Sequence, residues 1–265
     1  MNRMIAEKKW FVLLLVCAML FLGSASALGE IVIVTLSDSG CTCESDTVSF
    51  ADGIVRITTP GEYLFRGSLS NGQICVDCET DGKVILQFEG IQIHSESEAA
   101  VLIGHVSPRA HIVLSAGTEN TLSTGTARKS DTDEPNGVIF SRSDLTIEGS
   151  GKLTVTAGTM DGIVSKDDLR IEGGEISVTA PRHGLRGKDS VEVRDGDITI
   201  DAGKDGIRSN NSNDSDRGYI SVSGGKIRIT CGDDPMDYVT ALTVSGGSID
   251  ARIVTGDGQD GQELD

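Results

Sequence analysis

Apolar residues recur with a fixed period in the second half of the chain. Residues 161–182 and 183–204 form two consecutive segments of 22 residues, and residues 205–233 form a third that carries a seven-residue insertion. A fourth segment begins at Asp234, and the segment before Asp161 fits after a slip of one or two residues. Within each segment apolar and polar residues alternate, which is typical of short β-strands. The pattern predicts a repeat of short strands.

The aligned segments place apolar residues in five columns. The columns are Ile139, Ile163, Leu185, Ile207 and Met236; Leu145, Leu169, Val191, Ile220 and Leu242; Ile147, Ile171, Val193, Val222 and Val244; Leu153, Ile176, Ile198, Ile227 and Ile249; and Val155, Val178, Ile200, Ile229 and Ala251. Gly-Gly or Asp-Gly separates the second and third strands, where a sharp bend needs a positive φ. Three strands and three turns in 22 residues predict one coil of a parallel β-helix, with columns stacked at about 4.8 Å. The main alternative, an antiparallel sandwich, predicts hairpins, and the fixed period argues against it.

The first half of the chain shows the same alternation less regularly. Its apolar pairs and triplets are Tyr63-x-Phe65, Ile74-x-Val76, Val84-x-Leu86-x-Phe88, Ile91-x-Ile93, Val101-x-Ile103 and Ile112-x-Leu114. Residues 123–135 predict a projecting loop, and no long segment has the 3.6-residue period of a helix. We therefore predict an all-β chain with clear coils over residues 136–254 and looser coils over residues 47–123.

The first 27 residues predict an export signal. A short basic segment, Met1 to Lys9, precedes an apolar run from Trp10 to Gly23 and the small residues Ala25-Ser26-Ala27. This order is typical of a cleaved signal peptide, whereas the alternative, a membrane anchor, needs about 20 apolar residues. The predicted mature domain, residues 28–265, is therefore secreted or on the cell surface, with no membrane contact after cleavage.

Export places the remaining cysteines in an oxidising compartment. The Cys41-Cys43 and Cys75-Cys78 motifs could pair across two neighbouring strands, and a zinc site is the alternative. We predict one or two structural disulfides near the N-terminus, with their connectivity open, and a leftover buried Cys231.

The acidic composition excludes several classes of partner. The chain has 40 acidic and 23 basic residues and a net charge of −17, which becomes −19 without the first 27 residues, because these carry three basic residues and one acidic residue. Such a chain cannot gain affinity for nucleic acid by counterion release, and an anionic membrane repels it. The single tryptophan, Trp10, lies in the predicted signal peptide, so a sugar must be held by polar groups or by calcium.

Much of the chain between Gly61 and Leu242 resembles a known family. The segments that carry the resemblance are GEYLFRGSLSNGQICVD (61–77), GTENTLS (117–123), EPNGVIFSRSDLTIEGSGKLTV (134–155), DGIVSKDDLRIEGGEISVTA (161–180), GLRGKDSVEV (184–193), DGIRS (205–209) and DRGYISVSGGKIRIT (216–230). They resemble a secreted family of calcium-binding, carbohydrate-binding right-handed parallel β-helices of pectate-lyase-like shape. The resemblance implies a single right-handed solenoid, calcium at acidic turns, and a pectin-like or cellulosic polysaccharide as the partner. The family turn, Asp-Gly-Ile, is replaced here by His183-Gly184-Leu185 in one coil and by Asp234-Pro235-Met236 in another.

Acidic residues that stack coil over coil are the candidate metal ligands. Stacked carboxylates about 5 Å apart repel one another unless a cation lies between them. Calcium takes about six to eight oxygen ligands, which flexible acidic turns can supply. The predicted calcium ligands are Asp161, Asp167, Asp168, Asp189, Asp205, Asn213, Asp214 and Asp216. The alternatives are that the aspartates serve turn geometry alone and that the insertion at 210–218 is a solvated loop.

A basic column runs beside these acidic turns. Arg142, Lys166 and Lys188 occupy the same position in consecutive segments. Cations spaced by one coil suit a flat face that binds the carboxylates of uronate sugars. The predicted substrate-binding residues are Lys166, Arg186, Lys188 and Arg208. The alternative is that they form surface ion pairs with neighbouring aspartates, each worth less than about 1 kcal/mol.

The sequence therefore predicts a secreted, non-catalytic polysaccharide-binding protein with calcium at its acidic turns. Two alternatives stay open. One is a calcium-dependent polysaccharide lyase that acts on uronates, with Lys166 or Lys188 as the base. The other is a structural or adhesin module that calcium makes rigid. Neither a Ser-His-Asp set nor a recognisable pair of glycosidase carboxylates is present, so no catalytic residue is predicted.

Overall fold

Short β-strands make up the regular structure of the protein. The computed structural model describes residues 30–78, 80–127 and 134–254, and the predicted signal peptide lies outside this part. The strands are β1 (Val32–Ser37), β2 (Gly40–Thr42), β3 (Val48–Ala51), β4 (Ile54–Ile57), β5 (Gly61–Leu69), β6 (Gln73–Val76), β7 (Val84–Ser95), β8 (Val101–Ile103), β9 (Ala110–Leu114), β10 (Glu119–Thr124), β11 (Gly137–Ser141), β12 (Leu145–Gly149), β13 (Lys152–Thr156), β14 (Asp161–Ser165), β15 (Asp168–Ala180), β16 (Leu185–Gly187), β17 (Ser190–Ala202), β18 (Ile207–Ser209), β19 (Tyr219–Val222), β20 (Lys226–Cys231), β21 (Met236–Tyr238), β22 (Ala241–Val244) and β23 (Ser248–Ile253). The residues described include no helix long and apolar enough to cross a membrane.

Two sheets are built from these strands. Strands β3, β4, β6, β8, β11, β14, β16, β18 and β21 form a nine-stranded sheet, and the others form a 14-stranded sheet. Pairing among the described strands is parallel except at the N-terminal end, where β1 pairs with β2 and β3 with β4 in antiparallel fashion. The chain alternates between the sheets, because β14 and β16 belong to one and β15 and β17 to the other. The fold is therefore all-β and β-helix-like.

The register of the parallel strands follows the sequence repeat. Ile163 pairs with Leu185, and Ile176 pairs with Ile198, so partners are 22 residues apart. All five apolar columns pair as the sequence predicts. The insertion in the third segment falls between β18 and β19, where it leaves this register intact. One 22-residue repeat of the sequence therefore advances the chain by one hydrogen-bonded strand in each sheet.

The apolar columns form a continuous core in the compact unit that begins at Ile31, except in the last coil, where Leu242 and Val244 are exposed. Aromatic side chains fill its N-terminal part, where the rings of Phe65 and Phe88 meet edge to face with centroids 6.4 Å apart. The buried Tyr63 satisfies its hydroxyl by donating to the carbonyl oxygen of Thr59 at 2.7 Å. Toward the C-terminus the core is aliphatic, because the repeat supplies Ile, Leu and Val at each inward position.

Glycines close the bend that the sequence predicts between the second and third strands of a coil. Gly174, Gly196 and Gly225 have φ values of +94°, +118° and +81°. A Cβ atom at Gly225 would lie 2.8 Å from the carbonyl oxygen of Gly196 in the coil below. Both the backbone conformation and the close stacking of coils therefore require glycine here.

The disulfide prediction is wrong in this structure. All five cysteines among the described residues are free thiols. Cys41 lies on β2 in the 14-stranded sheet, whereas Cys75 lies on β6 in the nine-stranded sheet, so the two motifs do not face each other across neighbouring strands. Cys75 instead receives a hydrogen bond from the guanidinium of Arg56 at 3.5 Å. Burial raises the pKa of the Cys231 thiol to about 11, which keeps it protonated.

Candidate functional site

A cleft of about 280 Å³ opens beside β14 and β16. Its lining residues are Glu134, Asn136, Ser165, Lys166, Arg186, Lys188 and Asn210. Lys166 directly follows β14 and Lys188 directly follows β16, and their backbone N–H groups donate to Ser141 and Ser165 in the preceding coil, at 2.9 and 3.0 Å. The coil-to-coil register therefore brings three of the four predicted binding residues, Lys166, Arg186 and Lys188, into one cleft, where the sequence predicted a flat face.

The ammonium group of Lys166 is held by an acid from the same cleft. Glu134 binds Lys166 through Oε1 and accepts from Arg142 Nη1 through Oε2 at 3.1 Å. The hydrogen bond from Lys166 holds the pKa of the Glu134 carboxyl below its usual value, and the charges of Lys166, Arg142 and Arg186 add to this effect. The Glu134 carboxylate thus accepts charge-assisted hydrogen bonds from two cations of neighbouring coils.

Lys188 leaves its charge available in the cleft. Its amine forms no ion pair with any residue that the structure describes. The carboxyl of Asp167 lies near enough to feel this charge, yet the pKa of Asp167 is raised, because burial and the acids Asp144 and Asp168 outweigh Lys188 and Arg217. Lys188 is half-buried and lines the cleft, so it can meet an incoming anion.

Arg186 forms the buried wall of the cleft. Its Nη1 lies 2.9 Å from Asp161 Oδ2, and its Nη2 donates to Asn136 Oδ1 at 3.0 Å. The Asp161 side chain is fully buried, and that of Arg186 is 14% exposed. Burial lowers the pKa of the Arg186 guanidinium, and the Asp161 carboxylate opposes that shift. The interior thus holds this arginine, and its role at the cleft is to shape the wall.

Arg208 stacks next to Arg186 in the following coil but does not line the cleft. Its guanidinium lies 2.9 Å from Asp205 Oδ2 and 3.2 Å from Asp237 Oδ2. With an acid on each side, Arg208 has no free charge to offer. The structure therefore separates it from the other three predicted binding residues.

The turn column, Asp161, His183, Asp205 and Asp234, stacks from coil to coil, and its first three side chains are buried. Backbone N–H groups of Gly162, Gly184 and Gly206 donate to the carbonyl oxygens of His183, Asp205 and Asp234 at 2.9 to 3.0 Å, which fixes these turns one above the other. The imidazole Nδ1 of His183 lies 3.0 Å from Asp205 Oδ2. Burial lowers the pKa of His183, although the neighbouring aspartates pull it the other way. The cations beside this column are guanidinium groups.

Comparison with known proteins supplies the family. A family described as carbohydrate-binding domain-containing proteins matches residues 51–264. The chain belongs to this family. A carbohydrate-binding domain-containing protein from Acetivibrio thermocellus is 36% identical over 138 residues, which cover 51% of this chain and 48% of that protein. The chain thus spans about half the length of the curated relative it matches.

A solved structure shares the fold of this carbohydrate-binding family member. It is the gadolinium derivative of a polysaccharide lyase-like protein from C. thermocellum, with a TM-score of 0.75 and 32% identity. The match covers 85% of this chain and 96% of that one. The family match and this structural likeness together support carbohydrate binding on an all-β, polysaccharide lyase-like fold.

The predicted calcium ligands do not come together as a cation site in this family member. The described residues contain no group of three or more His, Cys, Asp or Glu side chains that could hold a metal ion. At Asp161 and Asp205 the neighbouring positive charge comes from Arg186 and Arg208. Calcium needs several unpaired oxygen ligands, and these two carboxylates do not fit that requirement. Calcium binding stays a prediction.

The other predicted ligands are distributed over two places. Asp189 accepts from Asn211 Nδ2 at 2.5 Å and is paired with Arg217, and Asp168 accepts from Ser190 Oγ at 2.8 Å. In the insertion loop, Asp214 accepts from the backbone of Asp216 at 3.0 Å and lies 3.3 Å from Arg217 Nε. Asp167 stays close to Asp168 and Asp189, as the stacking predicts, but Asn213, Asp214 and Asp216 lie on the exposed loop. These acids are engaged mainly by arginines and amide groups.

Four of the residues that line the cleft were not predicted from the sequence: Glu134, Asn136, Ser165 and Asn210. Glu134 precedes the clear coils, Asn136 is their first residue, Ser165 is the last residue of β14, and Asn210 opens the insertion. None of the four belongs to the column of basic residues that the alignment shows. The signal that was available is positional. Asn136 lies one coil below Asp161, whose backbone N–H donates to its carbonyl oxygen at 3.0 Å.

Proposed function

We propose that this protein binds an acidic polysaccharide along the Lys166–Lys188 cleft and does not cleave it. The observation that carries the proposal is that the ammonium group of Lys188 has no ion-pair partner among the described residues, in a cleft with two further cations of a carbohydrate-binding family member. A charge-assisted hydrogen bond to a uronate carboxylate would satisfy this amine. A single right-handed solenoid with one such cleft on its side is part of the proposal.

The chemistry of the cleft supports binding better than catalysis. A lyase needs a base to remove the proton beside the uronate carboxylate, and a base must be able to lose its own proton near neutral pH. Arg186 is fixed by Asp161 and Asn136, and the ammonium group of Lys166 is paired with the carboxylate of Glu134, so neither is placed to act as that base. The polysaccharide lyase-like neighbour keeps the lyase as the second candidate, with Lys188 as the base.

Calcium is not required for this binding mode. The basic side chains can contact the glycan carboxylates directly, and the carboxylates of Asp161, Asp189 and Asp205 are paired with arginines. We therefore propose direct ionic contacts, with the predicted calcium sites as the alternative that a chelator tests.

Calorimetric titration with a galacturonic acid hexamer and a neutral cellulose hexamer tests the proposal. We expect the acidic hexamer to bind more tightly, with an affinity that falls as salt rises from low ionic strength, and with no change on adding EGTA. Equal affinity for both hexamers would contradict the acidic specificity. Loss of binding in EGTA would restore the calcium bridge. Appearance of unsaturated uronate products on prolonged incubation would instead show the lyase.

A further inference from the structure

One acidic side chain lies where an acidic ligand should bind. Glu134 lines the cleft and is 30% exposed, and its two carboxylate oxygens take up Lys166 and Arg142. With Arg186 paired to Asp161, the described contacts leave only Lys188 without an acid among the three cations that line the cleft. A uronate carboxylate has the same shape and charge as the Glu134 side chain, so the two compete for the same donors.

We propose that Glu134 is a built-in competitor that occupies the Lys166 subsite until a glycan carboxylate displaces it. The inference rests on the proposed function and adds a division of labour to it. Lys188 makes the first contact, and Lys166 is reached only after Glu134 leaves. A glycan with adjacent carboxylates can fill both positions at once, whereas a single carboxylate gains only Lys188. Glu134 thereby selects chains of consecutive uronates over isolated acids.

The electrostatics of Glu134 favour this role over a structural one. Its pair with Arg142 is largely solvent-accessible, since the Arg142 side chain is 53% exposed, and such pairs add little to fold stability. Its carboxyl pKa is lowered mainly by the hydrogen bond from Lys166. Displacement by a ligand would remove that hydrogen bond, and the pKa of Glu134 would return toward its usual value. The pKa of Glu134 therefore reports on the competition independently of the binding affinity.

A double-mutant cycle tests the competition. The wild type, Glu134→Gln, Lys166→Met and the double variant are titrated with the galacturonic acid hexamer. We expect Glu134→Gln to tighten binding about two- to fivefold, the range for a partly exposed ion pair. We also expect Lys166→Met to cost more affinity in the Glu134→Gln background than in the wild type, because in the wild type the contact with Lys166 is offset by the cost of displacing Glu134. Additive effects would overturn the proposal.

A matched control separates local competition from overall charge. Glu119→Gln removes the same charge at an exposed ion pair with Lys152, and neither residue lines the cleft. Tightening by Glu119→Gln equal to that by Glu134→Gln would overturn the proposal. In a ¹³C-detected titration of the glutamate carboxyls, the Glu134 pKa should rise when the hexamer is bound, and an unchanged pKa would overturn it too. If the wild type and all variants fail to bind the hexamer, the proposed function itself fails. If the wild type binds and Glu134→Gln binds no better, only the competitor role fails.

Discussion

Two sets of charged residues lie at opposite ends of the same short strands, and the structure treats their charges differently. The turn column of Asp161, His183 and Asp205 is buried and neutralised by its own arginines. One strand further along the chain, Lys166 and Lys188 line an open cleft, where Lys188 has no described acidic partner. The same period generates both sets, so the period does not decide which of them can bind a ligand.

The difference arises from what covers each column. A buried carboxylate without a partner is costly, and Arg186 bends inward to Asp161 although it starts from a position next to the cleft. The lysines lie in the turn after each strand, where Lys166 pairs with the partly exposed Glu134 and Lys188 has no ion-pair partner among the described residues. Charges that are paired in the interior stabilise the fold, whereas surface charges without an ion-pair partner can bind a ligand.

The largest effect should come from removing the first, fully buried acid of the buried column, Asp161. Asp161→Asn leaves Arg186 and Arg182 beside a neutral amide, and breaking a buried pair by removing one partner costs about 3–5 kcal/mol of unfolding free energy. Denaturant unfolding followed by circular dichroism measures it. Glu134→Gln, which breaks an exposed pair, should cost less than about 1 kcal/mol. Equal losses of unfolding free energy in the two variants would contradict the difference between the buried column and the cleft.

A second effect is a pH dependence that belongs to the buried column alone. His183 faces Asp161, Asp205, Arg186 and Arg208, and burial lowers its pKa in the folded state below the ordinary value of about 6.5. Below that pH the unfolded chain binds a proton that the folded chain does not, so stability is lost as pH falls. The loss approaches about 1.4 kcal/mol for each unit between the two pKa values.

The variant His183→Gln isolates this contribution. Unfolding free energies between pH 7.5 and about 5 should fall less steeply in the variant than in the wild type, since glutamine takes up no proton. Identical slopes would show that His183 is not the group that senses pH. Affinity for the acidic hexamer should be unaffected at pH 7.5, because His183 does not line the cleft.

The cleft should respond in affinity and not in stability. Lys188→Met removes the amine that has no described acidic partner, and we expect about tenfold weaker binding of the galacturonic acid hexamer, equivalent to about 1.4 kcal/mol. Unfolding free energy should stay within about 0.5 kcal/mol of the wild type. Lys152→Met is the matched control, because Lys152 is a half-exposed lysine away from the cleft. A similar loss of affinity in both variants would point to overall charge in place of a local site.

The sequence predicted the fold from the repeat, and the reason is physical. Inward positions such as Ile163, Leu185 and Ile207 must be apolar in every coil, so one alignment reveals their register. Lys166 and Lys188 were found in the same way, because a residue that directly follows a strand keeps its position from coil to coil.

The alignment could not predict in which direction a side chain points. Arg186 and Arg208 occupy matching positions, and only packing shows that each turns toward an aspartate. Stacked acids need a neighbouring positive charge, and the sequence predicted calcium for it. In the structure, guanidinium groups lie beside Asp161 and Asp205. Glu134 lies outside the regular coils, so no periodic signal marks it.

The smallest effect concerns the insertion loop, where the surface resembles neither the column nor the cleft. Both carboxylate oxygens of Asp214 are engaged, one by the backbone of Asp216 and the other by Arg217, whose side chain is 47% exposed. Asp214→Asn should therefore change unfolding free energy by less than about 1 kcal/mol. We expect the melting temperatures of the wild type and this variant to shift equally on moving from calcium to EGTA. A calcium-dependent rise present in the wild type and lost in Asp214→Asn would instead locate an ion in the loop, because a bound ligand stabilises only the state that holds it.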